Sequence, residues 1–117
     1  MDLKEIVDFH REFAKSHGWI WEVDDEKGML ERIKYIAIAI TGEAGEFSNI
    51  VKKSLREKFP EGQMPDAEKM EKLKQEIVDI FIYVVLASMT LKMDLQKEHD
   101  KKIEELKVKF KRFENKQ

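Results

Sequence analysis

The chain contains no cysteine, only two prolines and five glycines, and no apolar run long enough to cross a bilayer. Without cysteine there are no disulfides, no thiolate metal sites and no cysteine nucleophile, a usage that fits a reducing compartment. Both prolines fall in "FPEGQMPD" (59–66). That segment, which also holds Gly62, is therefore the one confident interior loop, and the rest of the chain is free of the strongest helix breaker. The most apolar stretch, Ile77–Leu86, is interrupted by Asp79 and is well short of the roughly 20 residues that a membrane helix needs. An excess of one charge is missing too. The 22 Lys and Arg against 24 Asp and Glu leave a net charge of -2, which argues against nucleic acid or a membrane surface as partner. The opening "MDLKEIVDFHREF" is charged from its second residue and has no signal-peptide core. A cytoplasmic protein is expected.

What remains is helix-forming material. The 117 residues are 42% hydrophobic and 39% charged, enough for a single domain over 1–117 with one core. The spacing of apolar residues predicts four helices and an all-α fold. The first covers about 2–16, with Leu3, Ile6, Phe9 and Phe13 on one face. The second covers about 28–58, where Leu30, Ile33, Ala37, Ile40, Ala44, Phe47 and Val51 step by three and four. The third begins after Asp66, a candidate N-cap, and carries Leu73, Ile77, Ile80, Val84, Ala87 and Leu91. The fourth covers about 95–114 behind Asp94, with Leu95, Ile103, Leu106, Phe110 and Phe113. The third helix is apolar nearly all round, because Val78, Ile82, Val85 and Met89 add a second greasy face. Such a helix belongs at the centre of something larger than four helices of one chain. The expectation is a four-helix bundle that forms a homo-oligomer, with the third helix near a two-fold axis.

Against this background two acidic pairs are out of place. "YIAIAITGEAGEF" (35–47) sets Glu43 and Glu46 into an apolar run, and "EIVDIFIYVVLA" (76–87) does the same with Glu76 and Asp79. Residues three apart share one helical face, with Cβ atoms roughly 5–6 Å apart. If the two helices pack antiparallel across the short loop, four carboxylates meet in one partly buried pocket. Empty, that pocket is costly through desolvation and like-charge repulsion. A hard divalent cation offsets both, and an all-oxygen ligand set selects Mg²⁺ or Mn²⁺ over zinc. Di-iron bundle sites usually add a His three residues after a Glu, and neither pair here has one. The competing reading is a solvated acidic stripe, the kind that "EKMEKLKQE" (68–76) offers on its own. His10, His17 and His99 have no ligand spacing and read as surface residues or helix-face fillers.

The paired motif resembles the all-α nucleoside triphosphate pyrophosphohydrolases, the MazG-like proteins, whose signature is E-x-x-E on one helix and E-x-x-D on the next. Here it stands as "GEAGEF" and "EIVDIFIY". Tyr83, the "DL" at Asp94–Leu95, Lys102 and the "HGW" that ends at Trp19 extend the likeness toward the dCTP-pyrophosphatase-like branch. It is strongest over about residues 28–110. The resemblance implies an oligomeric bundle that binds Mg²⁺ through Glu43, Glu46, Glu76 and Asp79. It further implies hydrolysis of a nucleoside triphosphate to a monophosphate and pyrophosphate by water attack at the α-phosphorus. Glu43 and Glu46 become the candidate catalytic acids. Lys53, Tyr83, Lys102 and Lys109 become candidate phosphate contacts, and Trp19 a surface on which a base stacks. Trp21 reads either as a second stacking surface or as a hydrophobic clamp on the 17–27 segment. Three positions depart from that branch. Lys53 stands near where it has a tryptophan, Leu106 where it has an asparagine and Lys109 where it has an arginine. The rival reading from another class is a non-catalytic helical oligomerisation module whose acids pair with lysines.

Overall fold

Three aspartates start three of the helices. Asp2 accepts a hydrogen bond from the Glu5 amide at 2.9 Å, Asp66 from Lys69 at 2.9 Å and Asp94 from Lys97 at 3.1 Å. Each side chain satisfies an amide that the first helical turn leaves without a partner. The computed structural model describes residues 1–57 and 64–114 and places four helices in order: α1 (Leu3–Ser16), α2 (Glu26–Glu57), α3 (Ala67–Thr90) and α4 (Leu95–Glu114). No strand occurs among the described residues. Most of the expected loop "FPEGQMPD" lies outside them. No helix among the described residues is long and apolar enough to cross a membrane.

α2 starts two residues earlier than the apolar spacing predicts, because Asp25 caps it. The Asp25 carboxylate accepts from the Gly28 amide at 2.8 Å, and its carbonyl accepts from Met29 at 3.0 Å. A Cβ at position 28 would stand 2.8 Å from an Asp25 carboxylate oxygen and 3.1 Å from a Val23 methyl. Only glycine lets the cap fold that closely over the first turn. At the end of α1, Gly18 takes φ 73° while the Trp19 amide reaches back to the Ala14 carbonyl at 2.9 Å, a left-handed helix stop that releases the chain sideways. The stop after α3 has the same form, with Lys92 at φ 53° and the Met93 amide on the Ser88 carbonyl at 3.0 Å. A lysine in this region is uncommon. Its ammonium pairs with the exposed Asp24 carboxylate.

α2 and α3 form the centre, packed against each other along most of their length. They run antiparallel. Ile36, early in α2, shares the core with Val85, Leu86 and Met89, late in α3, whereas Glu43 and Glu46 meet Glu76, early in α3. Ile6 and Val7 bring α1 onto the same core. α1 is rotated relative to the expected seam, so that Phe9 and Phe13 lie outside, stacked at 5.7 Å between ring centres and about half exposed. Beyond Leu95, which touches the core, α4 has no substantial packing partner in its own chain. The expected closed bundle is therefore three helices and one that stands apart. Among the described residues the buried apolar core is small, namely Ala14, Ile36, Val85, Leu86 and Met89, with Ser54, Ser88 and Thr90 buried beside it.

Thr90 has the longest reach of the three hydroxyls. It is completely buried and donates to the Trp21 carbonyl at 2.8 Å, which fastens the 17–25 segment to the end of α3. Replacing it with valine keeps the volume but strands that carbonyl. Thr90→Val is expected to cost about 1–3 kcal/mol in urea unfolding and to shift the tryptophan emission as the strap loosens.

Candidate metal centre and adjoining cleft

On α2 the face turned to α3 carries Ile36, Ile40, Glu43, Phe47, Ile50 and Ser54, all buried or half-buried. Glu43 lies in that stripe because it is seven residues from Ile36, close to two full turns. Glu46 lies on the flank and is exposed. Glu76 and Asp79, one turn apart on α3, are half-buried. One carboxylate oxygen each of Glu43, Glu46 and Glu76 lies within 4.8 Å of the others, a spacing at which the three can hold one cation. Asp79 is not in that triad. It lines the neighbouring cleft beside Glu43 and Tyr83.

The electrostatics of the triad are unfavourable when it is empty. The Glu76 carboxyl is pushed from 4.5 up to about 7, first by its contact with the Glu43 side chain, then by burial and by Glu46. One oxygen each of Glu43 and Glu76 is buried with no hydrogen-bond partner. Buried carboxylate oxygens are normally satisfied, and no lysine or arginine is paired with either acid among the described ion pairs. Two orphaned oxygens within a closely spaced acidic triad fit a bound cation, and the donors are all oxygen, as a hard ion requires. Tyr83 is also pushed up, by burial and then by Tyr35 and the nearby acids, so its phenol keeps its proton.

Next to the acids opens a cleft of about 870 Å³, within the range of small-molecule sites. Glu43, Asp79 and Tyr83 form its acidic end, and Trp19, Trp21, Tyr35, Phe13 and His10 its aromatic walls. Trp19 is exposed and lies on the His17 ring, 5.0 Å between centres. The Trp21 ring lies 5.9 Å from that of Tyr35, and its indole N–H is buried without a partner. Trp21 is thus both readings at once: clamp through its carbonyl, cleft wall through its ring. Arg32 in the cleft donates to the carbonyls of Ile20 and Gly28 and so holds the strap to α2. A second cleft, between α1, the end of α3 and the start of α4, holds charges of both signs, with Arg11 already paired to Asp8 and Glu22.

Of the residues singled out in the sequence, Glu43, Glu46, Glu76, Asp79, Tyr83 and Trp19 are brought to this centre or its cleft. Lys53 is exposed on α2, two turns past Glu46, outside the cleft lining. Lys102 is exposed and 3.5 Å from Glu105, and Lys109 lies 5.4 Å over the Phe110 ring. Within one chain neither lysine reaches the acids, because α4 does not lie across α2 or α3. The spacing of the sequence missed His10, Phe13, Arg32 and Tyr35. A signal for two of them was available: Arg32, Tyr35, Ala39, Glu43 and Glu46 step by three and four along one face of α2. His10 has its pKa lowered by burial, so of the two expected roles it takes that of a helix-face filler, a neutral part of the cleft wall. No protein-family profile, curated protein or solved structure matches this chain.

The raised carboxyl sets a pH dependence. Because Glu76 holds its proton more tightly folded than unfolded, the metal-free chain gains stability at low pH and loses it as pH rises from about 4.5 through about 7. Melting in chelator across that window should show a falling Tm. Glu76→Gln, neutral throughout, should flatten that part of the profile.

Proposed function

We propose that this chain is a Mg²⁺-dependent nucleoside triphosphate pyrophosphohydrolase, with Mn²⁺ as a working substitute, that clears unwanted nucleotides from the cytoplasmic pool. The observation that carries the reading is the join between two features: carboxylates with orphaned buried oxygens, and an aromatic cleft opening beside them. A nucleoside triphosphate has the matching halves, an anionic tail that needs cations and a flat base that needs aromatic faces. The resemblance of "GEAGEF" and "EIVDIFIY" to the MazG-like pattern supports the same reading.

In this reading Glu43, Glu46 and Glu76 hold the metal, with Asp79 at the cleft side. A bound divalent ion would neutralise the phosphates and lower the pKa of a water. The chain's own groups do the rest. Glu46, the exposed acid, is free to accept the proton of the attacking water. The water oxygen bonds to the α-phosphorus, the bond from that phosphorus to the α–β bridging oxygen breaks, and pyrophosphate leaves with that oxygen. Tyr83 stays protonated and donates to a phosphate oxygen. Trp19 and Tyr35 flank the base, while Lys53, outside the cleft lining, would reach only phosphates that extend beyond Glu46 along α2.

A second reading, a helical oligomerisation module without activity, draws on the small buried core and the large apolar surface. Metal binding separates the two. For the hydrolase, saturating Mg²⁺ or Mn²⁺ should raise Tm by on the order of 10 °C at a hundredfold excess over Kd; the module should not respond. Pyrophosphate release over a panel of canonical, deoxy and modified triphosphates tests the activity. Glu46→Gln and Asp79→Asn are expected to lower kcat by about 100-fold or more with helicity intact. Trp19→Ala is expected to raise KM about tenfold with a smaller effect on kcat. Full activity in both acid variants would refute the site.

A further inference from the structure

Two charged groups in the aromatic cleft have no part in the chemistry described so far. Glu31 and Arg32, successive residues of α2, both line it. Neither is neutralised. Among the described ion pairs no carboxylate meets the Arg32 guanidinium, and no cation meets Glu31. Arg32 is also the one lysine or arginine of the lining among the described residues. About 16 Å of helix axis separates it from Glu43. A nucleotide whose phosphates sit at the acids spans that distance with its base.

The Arg32 fork is fixed before any ligand arrives. Its Nε donates to the Ile20 carbonyl and its Nη1 to the Gly28 carbonyl. Three of its five N–H groups, both of those on Nη2 among them, have no described partner. A side chain already held at two points loses little further freedom on binding. Such a fork matches two neighbouring acceptors, and a carboxylate matches two neighbouring donors. Guanine is the base that offers both. O6 and N7 are paired acceptors on one edge, and N1–H and the 2-amino group are paired donors on the next. Adenine sets its amino group beside N7 and would meet the fork donor to donor, while thymine offers O4 alone beside its methyl group. Cytosine has paired acceptors in O2 and N3, but only one amino group for a carboxylate.

We propose that the cleft selects guanine nucleotides, Arg32 donating to O6 and N7 and Glu31 accepting from N1–H and the 2-amino group. Arg32 then has two tasks, holding the strap through two N–H groups and reading the base through the others. That the occupant carries a triphosphate rests on the hydrolase reading; the choice of base rests on these two side chains.

Both tryptophans of the chain, Trp19 and Trp21, line this cleft, so quenching of their emission reports an occupied cleft without turnover. The full chain is titrated, with Mg²⁺, against α,β-methylene analogues of the deoxynucleoside triphosphates, which resist cleavage. The guanine analogue is expected to bind about tenfold or more tighter than the adenine one. Replacing N7 by carbon (7-deazaguanine) or removing the 2-amino group (hypoxanthine) should each weaken binding about fivefold. In Arg32→Lys, which keeps the charge and loses the fork, the N7 penalty should vanish and the 2-amino penalty persist. Glu31→Gln should do the reverse. An arginine that only holds the strap would weaken every analogue in parallel and leave the N7 penalty intact. That result would overturn the proposal, as would equal binding of guanine and adenine by the wild-type chain, tighter binding of cytosine, or no quenching by any analogue. Guanine preference in binding without pyrophosphate release from dGTP would end the hydrolase reading and leave the base assignment standing.

Discussion

The contact between Glu43 and Glu76 is the point on which the rest of the molecule turns. Two like-charged groups face each other across the α2–α3 seam, where apolar side chains would be expected. Something must hold the helices together there, and it is the apolar contact a few turns away, where Ile36 meets Val85, Leu86 and Met89. The helix pair is therefore tight at one end and under electrostatic pressure at the other. A half-buried acid relieves such pressure by taking a proton or a cation. Antiparallel packing matters here, since it alone puts the middle of α2 opposite the first half of α3.

The aromatic side of the cleft obeys a different logic. α1 buries Ile6, Val7 and Ala14 and turns Phe13 and His10 toward the cleft. The strap between α1 and α2 carries Trp19 and Trp21 across the same opening. Four side chains tether that strap: Thr90 and Arg32 through its carbonyls, Arg11 through Glu22, and Lys92 through Asp24. The two ion pairs lie at the surface, where such pairs contribute little. The buried Thr90 hydroxyl and the Arg32 guanidinium are the stronger anchors. The cleft thus has one wall made of continuous helix and one made of a tied-down segment.

The sequence revealed the helices and the acids because both are local signals. Asp2, Asp66 and Asp94 are capping residues next to periodic apolar runs, and three-residue spacing puts Glu43 with Glu46 and Glu76 with Asp79 whatever the tertiary packing. What it concealed depended on rotation and direction. Whether Ile6 or Phe9 of α1 faces inward depends on how α1 lies against α3, and Thr90 is far from Trp21 in sequence. Asp79 belongs to the cleft wall and not to the triad, a difference of one helical turn relative to a neighbouring helix that spacing on its own helix cannot resolve. The divergence of α4 stems from Lys92 in the left-handed region, where glycine or asparagine would have announced the turn. A lysine there gives no warning.

The tie from Thr90 to the Trp21 carbonyl joins positions 69 residues apart, whereas the α2–α3 pair needs only one turn-back of the chain. Contacts between distant positions are entropically slow to close, and nearby ones form early. The Thr90 tie is therefore the last fastening expected on the strap, whose contact with α2 through Arg32 and the Ile20 carbonyl spans only 12 residues. The tryptophan wall is thus set locally and locked to α3 only when distant parts of the chain meet.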